Sequence, residues 1–407
     1  MIDVLQRQRF PCNYRGQRYE LGFCYNACSC LVVSQIRKII LTNFRNFLSK
    51  KIEFSHQLVL LAGNNGAGKT NILEGLTLLG RGSSLRGSDF EEMIFDSKIL
   101  SEKKSQFTIY AELSDHEFIE KIGISFLATQ KKKIIEINGE AMIGKRQSDL
   151  KSHLINFICL TPQLEQLFIL GKSERRDYLD KIVSDLDSNH LTRINNYQKL
   201  LKERLLILQK YNAQKAGEKW LEIIETQIVE LGMAIASARI EAVDFFNRAI
   251  SSFTSNFPKP KLQASGDIEQ SVMKQSAVQL EEIYKNKLRE NRSHDLANFK
   301  TNFGVHRSDF DAIFSEKNMS AIRSSTGEQK SIMIGITLAR AKISATYKNQ
   351  PTILIFDEVV SHLDEKRKTD LFAEVKMSGL PAFFSATSKE LIPQQYLNDD
   401  SLQIIEI

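Results

Sequence analysis

The octapeptide Gly63-Asn64-Asn65-Gly66-Ala67-Gly68-Lys69-Thr70 constrains this chain more than any other stretch, because it satisfies G-x-x-x-x-G-K-[ST] at every fixed position. The apolar run Leu58-Val59-Leu60-Leu61 before it reads as a buried strand, and Asn71 to Leu79 behind it has the apolar spacing of a buried helix. Strand, glycine-rich turn and helix in that order make a P-loop. Its glycines let the backbone turn tightly and present N–H groups to a polyphosphate, while the positive end of the following helix faces the same anion. Lys69 is expected to reach the β- and γ-phosphates, and Thr70 to offer its hydroxyl to a Mg²⁺ bridging them.

A second half of such a site lies near the other end of the chain. Pro351-Thr352-Ile353-Leu354-Ile355-Phe356 runs directly into Asp357-Glu358, the pattern of a buried parallel strand delivering two carboxylates to its C-terminal edge. Asp357 suits the Mg²⁺ shell, and Glu358 suits a general base for the attacking water. Between the halves, Ser324-Ser325-Thr326-Gly327-Glu328-Gln329-Lys330 precedes a helix-like run through Ile332, Ile334, Ile336, Leu338 and Ala339. Serine and glycine at a helix start make a second anion site through free N–H groups and the helix dipole. Two anion sites on one chain call for two phosphate ligands, or for one nucleotide shared between two chains.

The Ser324–Lys330 segment resembles a degenerate signature motif of the ABC-type ATPases, and Ser361-His362-Leu363-Asp364 resembles their D-loop. In that superfamily the signature of one subunit caps the ATP on the P-loop of the other, so the resemblance implies an ATP-dependent head-to-head homodimer in which Ser325 and Gly327 close over the partner's nucleotide. Further blocks are similar to the RecF family of bacterial recombination and gap-repair ATPases: Ile39 to Phe47, Leu79-Gly80-Arg81-Gly82-Ser83-Ser84-Leu85-Arg86, Gly171 to Asp180, and Gly304-Val305-His306-Arg307-Ser308-Asp309. They run in the family's order from about residue 36 to the C-terminus. The fold implied is α/β, a P-loop ABC-type ATPase head with a mixed sheet, helices and an antiparallel β subdomain, carrying an inserted all-helical lobe. The function implied is an ATP-dependent clamp on single- and double-stranded DNA, with slow, DNA-stimulated ATP hydrolysis. It acts in gap repair, replication and the SOS response, working with RecR and RecO to help place RecA.

The chain departs from these patterns in places. Val305 stands where the family usually has proline. The strand Pro381 to Thr387 leads into the switch region without the histidine that many ABC ATPases place there; Ser385 or Thr387 can hydrogen-bond a phosphate but cannot carry a proton as imidazole does. Gln163, after the strand-like Ile155–Leu160, sits as a Q-loop glutamine should, though an ordinary polar turn residue fits as well.

Composition sets bounds on this reading. The chain has 407 residues, 42% of them hydrophobic, enough for two or three domains with a sizeable core. Fifty-five Lys and Arg against 49 Asp and Glu leave a net charge of only +6, so a DNA partner needs local clusters. Arg81 and Arg86, on the loop leaving the P-loop helix, are the candidates for DNA or for the dimer face; Lys131-Lys132-Lys133 reads better as solvated surface, and Arg175-Arg176 is a further cluster. No apolar run approaches the ~20 residues a bilayer span needs, and the expectation is a soluble cytoplasmic protein. Cys12, Cys24, Cys28 and Cys30 crowd into the start of the chain without paired C-x-x-C knuckles, which argues against a zinc site.

Four regions are expected: an extension over 1–34, the first part of the head over 35–172, a helical lobe over 173–300, and the rest of the head over 301–407. From Ser173 to Ile250 there is no proline and only two glycines, in a sequence rich in Leu, Ile, Glu, Lys and Gln. Arms of roughly 60 Å at most follow from the helical rise, far short of an SMC coiled coil. Trp220 reads as a core or lobe-packing residue. Two other classes share the nucleotide motifs: the ATP-binding subunit of a transporter, and an ABC-type module that binds ATP without hydrolysing it. The long helical insertion argues against the first, and the missing switch histidine keeps the second open.

Overall fold

The computed structural model describes residues 35–80, 84–95, 106–114, 119–142, 155–210, 215–253, 256–348 and 350–407. The four N-terminal cysteines and Arg81 lie outside these residues. In chain order the main elements are β1 (Gln35–Phe44), β2 (Phe47–Glu53), β3 (Leu58–Ala62), α1 (Lys69–Leu78), β4 (Gln106–Ser114), β5 (Ile119–Leu127), β6 (Lys132–Ile137), β7 (Glu140–Ala141) and β8 (Asn156–Leu160). There follow α2 (Pro162–Glu165), α3 (Lys172–Ser184), α4 (His190–Lys210), α5 (Lys215–Ser251), β9 (Lys261–Ser265), α6 (Asp267–Lys274), α7 (Ala277–Glu290) and α8 (Arg292–Asn298). The chain closes with β10 (Asp309–Phe314), β11 (Met319–Ser320), α9 (Thr326–Tyr347), β12 (Thr352–Phe356), α10 (Glu365–Ser378), β13 (Ala382–Ala386) and β14 (Leu402–Glu406).

Strands that are apolar at every position need cover on both faces, and β3, β12 and β13 are buried throughout. They form the middle of a five-stranded parallel sheet in the order β14-β3-β13-β12-β8. The register levels their ends: Ala62 pairs with Ala386, and Phe356 with both Phe384 and Leu160. The P-loop, the Asp357-Glu358 pair, Thr161 and Thr387 therefore leave the sheet along one C-terminal edge, where open α/β sheets hold ligands.

The antiparallel sheet runs β2-β1-β4-β5-β6-β7, and strict alternation along β4 and β5 turns one face inward. The expected Asn138-Gly139 hairpin is present, with Asn138 at φ 50° and Gly139 at φ 86° joining the Ile137–Glu140 pair. The inward face contributes Phe107, Ile109 and Phe126 to a core shared with Ile72, Leu73 and Leu76 of α1, so this sheet and the parallel one clamp the P-loop helix between them.

A second core gathers Tyr197 and Ile207 of α4, Ile228 and Ile235 of α5, and Leu280 and Tyr284 of α7. The 21 residues of α4 and 37 of α5 correspond to rods of about 31 and 56 Å at ~1.5 Å per residue, within the length expected. The surplus apolar positions are used because α5 packs against α4, α6, α7, α9 and β9 rather than one partner helix. Among the described residues of 173–300 one element is not helical: β9 pairs antiparallel with β10, which also holds β11. Trp220 is 44% exposed on α5 and is not a core residue. Among the described residues no helix is long and apolar enough to cross a membrane.

Candidate nucleotide site

The P-loop owes its path to glycines at two positions where the backbone demands them. Gly66 and Gly68 have φ of 85° and 108°, and a Cβ on Gly68 would lie 2.4 Å from Phe47 and 2.7 Å from the Asn46 amide. Lys69 opens α1 and is 4% exposed, with Nζ donating to the carbonyls of Gly63 at 2.7 Å and Asn64 at 3.0 Å. The ammonium is thus held against carbonyls of the loop itself.

Thr70 Oγ1 donates to Asp357 Oδ1 at 3.1 Å, joining two residues 287 apart in the chain. Asp357 also accepts from Ser385 Oγ at 2.7 Å, and the same hydroxyl accepts the backbone N–H of Glu358 at 2.9 Å. Glu358 sits in the left-handed region at φ 58°, so this bond fixes a backbone bend that an ordinary side chain adopts at some cost. Burial pushes the Asp357 carboxyl above its usual range; Ser385 and Thr70 oppose the shift, Glu358 adds to it, and the positive charge of Arg86 reduces it. A carboxylate so desolvated, beside a threonine hydroxyl, fits a small divalent cation with oxygen ligands such as Mg²⁺. Ser385, considered from sequence as a phosphate contact, instead braces the two acids. No spacing rule reveals that role, because β13 and β12 meet only through the sheet register.

The segment Asn43 to Phe47 gains a physical reason. Arg45 grips Glu74 of α1 through two bonds of 2.7 and 2.9 Å and donates to the Glu92 carbonyl at 3.0 Å. Glu74 is fully buried, so Arg45 is the counter-charge that lets it lie inside the P-loop helix packing. Beside it a chain of amides follows the loop: Asn46 donates to the Ala67 carbonyl, Asn71 to Asn46, and Arg86 to Asn71 at 3.3 Å. Arg86 therefore stands at the nucleotide side of α1.

Ser325 caps α9 in a capping box with Glu328. Gly327 offers its carbonyl to Arg367 of α10 at 3.1 Å, and Asp364 caps that helix by accepting the Arg367 N–H at 2.9 Å. The D-loop end and the signature segment are thereby fastened to each other. Gln163 is exposed in α2, two residues past the cap Thr161. Glu358 lines a cavity of about 200 Å³ with Pro162, Glu165, Gln166, Thr326 and Lys330, across which Lys330 pairs with Glu165 at 2.7 Å. The Q-loop segment and the signature helix of one chain thus meet around the glutamate.

Fold and site together define an SMC-type ATPase head of the ABC superfamily. The family model described as the RecF/RecN/SMC N terminal domain matches residues 35–389. The DNA replication and repair protein RecF of Rhizobium rhizogenes is 32% identical over 358 residues, covering 88% of this chain and 93% of that protein. RecF of Rickettsia felis is 32% identical over 359 residues, covering 87% and 94%. The solved structure of the recombination mediator protein RecF-ATPrS in the RecFOR pathway superposes with a TM-score of 0.70 at 26% identity, covering 92% of this chain and 96% of that one. The Smc head bound to the C-winged helix domain of ScpA shares the fold, with a TM-score of 0.52 at 15% identity, covering 91% and 93%. The chain belongs to the RecF family of DNA replication and repair proteins.

Proposed function

We propose that this chain is an ATP-dependent, dimeric DNA clamp acting in recombinational gap repair, in which nucleotide occupancy times the grip on DNA. The P-loop N–H groups and Lys69 hold the β- and γ-phosphates; Thr70 and Asp357 hold Mg²⁺; Ser325 and Gly327 of a second chain close the site. Bound Mg²⁺ supplies charge neutralisation on the phosphate oxygens. Glu358 then takes the proton of the attacking water, and Gln163 helps orient it. Arg86 lies at the mouth that closure presents to DNA or to the partner, and Arg81 is assigned the same role from the sequence. In this cycle the DNA is left chemically unchanged. The RecFOR pathway named for a structural relative supports RecO and RecR as partners in placing RecA.

The observation that carries this reading is the hydrogen bond from Thr70 to Asp357, which couples a P-loop to an acidic strand end 287 residues away at a single site. The test is hydrolysis by Lys69→Arg and Ser325→Arg variants, each alone and mixed, with and without duplex and gapped DNA at fixed salt. Each variant alone should be inactive. The mixture should recover DNA-stimulated activity, because one of its two composite sites has both an intact Lys69 and an intact Ser325. A mixture as inactive as its parents, beside an active native chain, sinks the shared site; no hydrolysis by the native chain points to a module that only binds ATP.

A further inference from the structure

The residue three places into the signature helix is acidic, and its carboxylate already occupies one donor that a phosphate would use, the Ser325 N–H. Glu328 Oε2 accepts the backbone N–H of Ser325 at 2.8 Å, and the Glu328 N–H reaches Ser325 Oγ at 3.4 Å. Its other oxygen lies 2.5 Å from Lys317 Nζ, in the turn between β10 and β11. The Glu328 side chain is 6% exposed and that of Lys317 63%. Lys317 first, then the Ser325 N–H, hold the carboxyl down at about 2, so it stays charged at any working pH. In a single chain this charge suits the positive end of α9 and stabilises its first turn. A terminal phosphate brought by a second chain needs the same N–H, the same hydroxyl and the same helix end. Two anions drawn to one set of donors a few ångströms apart repel each other.

We propose that Glu328, tethered by Lys317, is a built-in competitor of the nucleotide's terminal phosphate at the signature half-site, and so sets how readily two chains close on ATP. This rests on the shared-site reading above. Lys317 offsets part of the repulsion by neutralising the carboxylate, so the pair adjusts closure from outside the phosphate contacts themselves. Glutamine at 328 keeps an acceptor for the Ser325 N–H while removing the charge, which separates competition from simple capping.

The experiment measures ATP-dependent self-association of the full chain by sedimentation at fixed salt, for the native protein, Glu328→Gln, Lys317→Met and the double variant. Melting without nucleotide checks that each variant is folded. Glu328→Gln should lower the protein concentration for half-association about tenfold at saturating ATP, a difference of one decade in the equilibrium constant. Lys317→Met should raise it, and the double variant should behave as Glu328→Gln does. Equal or weaker association by Glu328→Gln, with the native chain associating normally, overturns this proposal alone. A native chain that stays monomeric at every ATP concentration overturns the shared-site reading and this proposal with it.

Discussion

Ser385→Ala is the sharpest single test of the site geometry, because one hydroxyl holds both acids. Ser385 is fully buried in β13, its Oγ 2.7 Å from the Asp357 carboxylate and 2.9 Å from the Glu358 nitrogen. Removing it deletes a bond to a charged acceptor and leaves a backbone N–H unpaired, each worth about 1–3 kcal/mol. The change is small in volume, so packing alone contributes little. A loss of about 2–4 kcal/mol in urea unfolding is expected, less than the sum because the strand can relax. Lys69 and the P-loop backbone are untouched, so nucleotide affinity should hold. The turnover rate should fall at least about tenfold as Glu358 loses its tether, since 1.4 kcal/mol of misplacement suffices for that. The variant also loses one of the two hydrogen bonds that oppose the upward shift of Asp357. Its carboxyl then rises further, so the acidic limb of activity should move to higher pH, and added Mg²⁺ should partly restore the rate. The assay is turnover against pH at two Mg²⁺ concentrations, with affinity for a fluorescent ATP analogue measured in parallel. Native turnover with an unmoved acidic limb would refute the bracing role.

Other consequences follow from the packing of buried charges. Asp357→Asn should raise the melting temperature without nucleotide and abolish the extra stabilisation by Mg-ATP: its folded pKa is raised, so the stability tied to the protonated form is lost as pH climbs from the ordinary 3.8 through the folded value. Arg204, fully buried against Glu225, Asp295, Thr301 and the Leu288 carbonyl, leaves Asp295 without its counter-charge when changed to Met, while Glu225 keeps Arg292; urea unfolding should show a loss of about 3–5 kcal/mol. His306 donates from Nε2 to the Thr301 carbonyl and accepts from Tyr197, and burial lowers its pKa from 6.5 to about 4. The unfolded chain then takes up a proton that the folded chain refuses, so stability should fall as pH drops from 6.5 toward 4, and His306→Gln should flatten that slope in pH-dependent melting.

What was legible in the sequence is what local chemistry fixes. Eight consecutive residues impose the P-loop turn, Asn138-Gly139 imposes its hairpin, and fully apolar runs announce the buried strands β3 and β12. The interactions that organise the site were less legible, because they join distant segments. Arg175 meets Asp309 across 134 residues through a bidentate pair, and Asp180 binds Arg239, which reaches on to Glu269 and the Val305 carbonyl. These are the blocks Gly171–Asp180 and Gly304–Asp309, which the resemblance marked without giving a reason. The reason is mechanical. Helix α3 begins a few residues past the Q-loop segment and is riveted to β10, whose following turn carries Lys317 and leads through β11 to the cap of α9. From the other end of α3, Asp185 holds Arg340 of α9 at 2.7 Å. Two ion-paired routes through packed structure therefore join the Gln163 segment to α9. An Arg175→Lys exchange keeps the charge but loses the two-pronged grip on Asp309. If α3 transmits the state of one half-site to the other, that exchange should weaken ATP-dependent association while leaving nucleotide affinity unchanged; a parallel loss of both would mean that α3 merely holds the fold together.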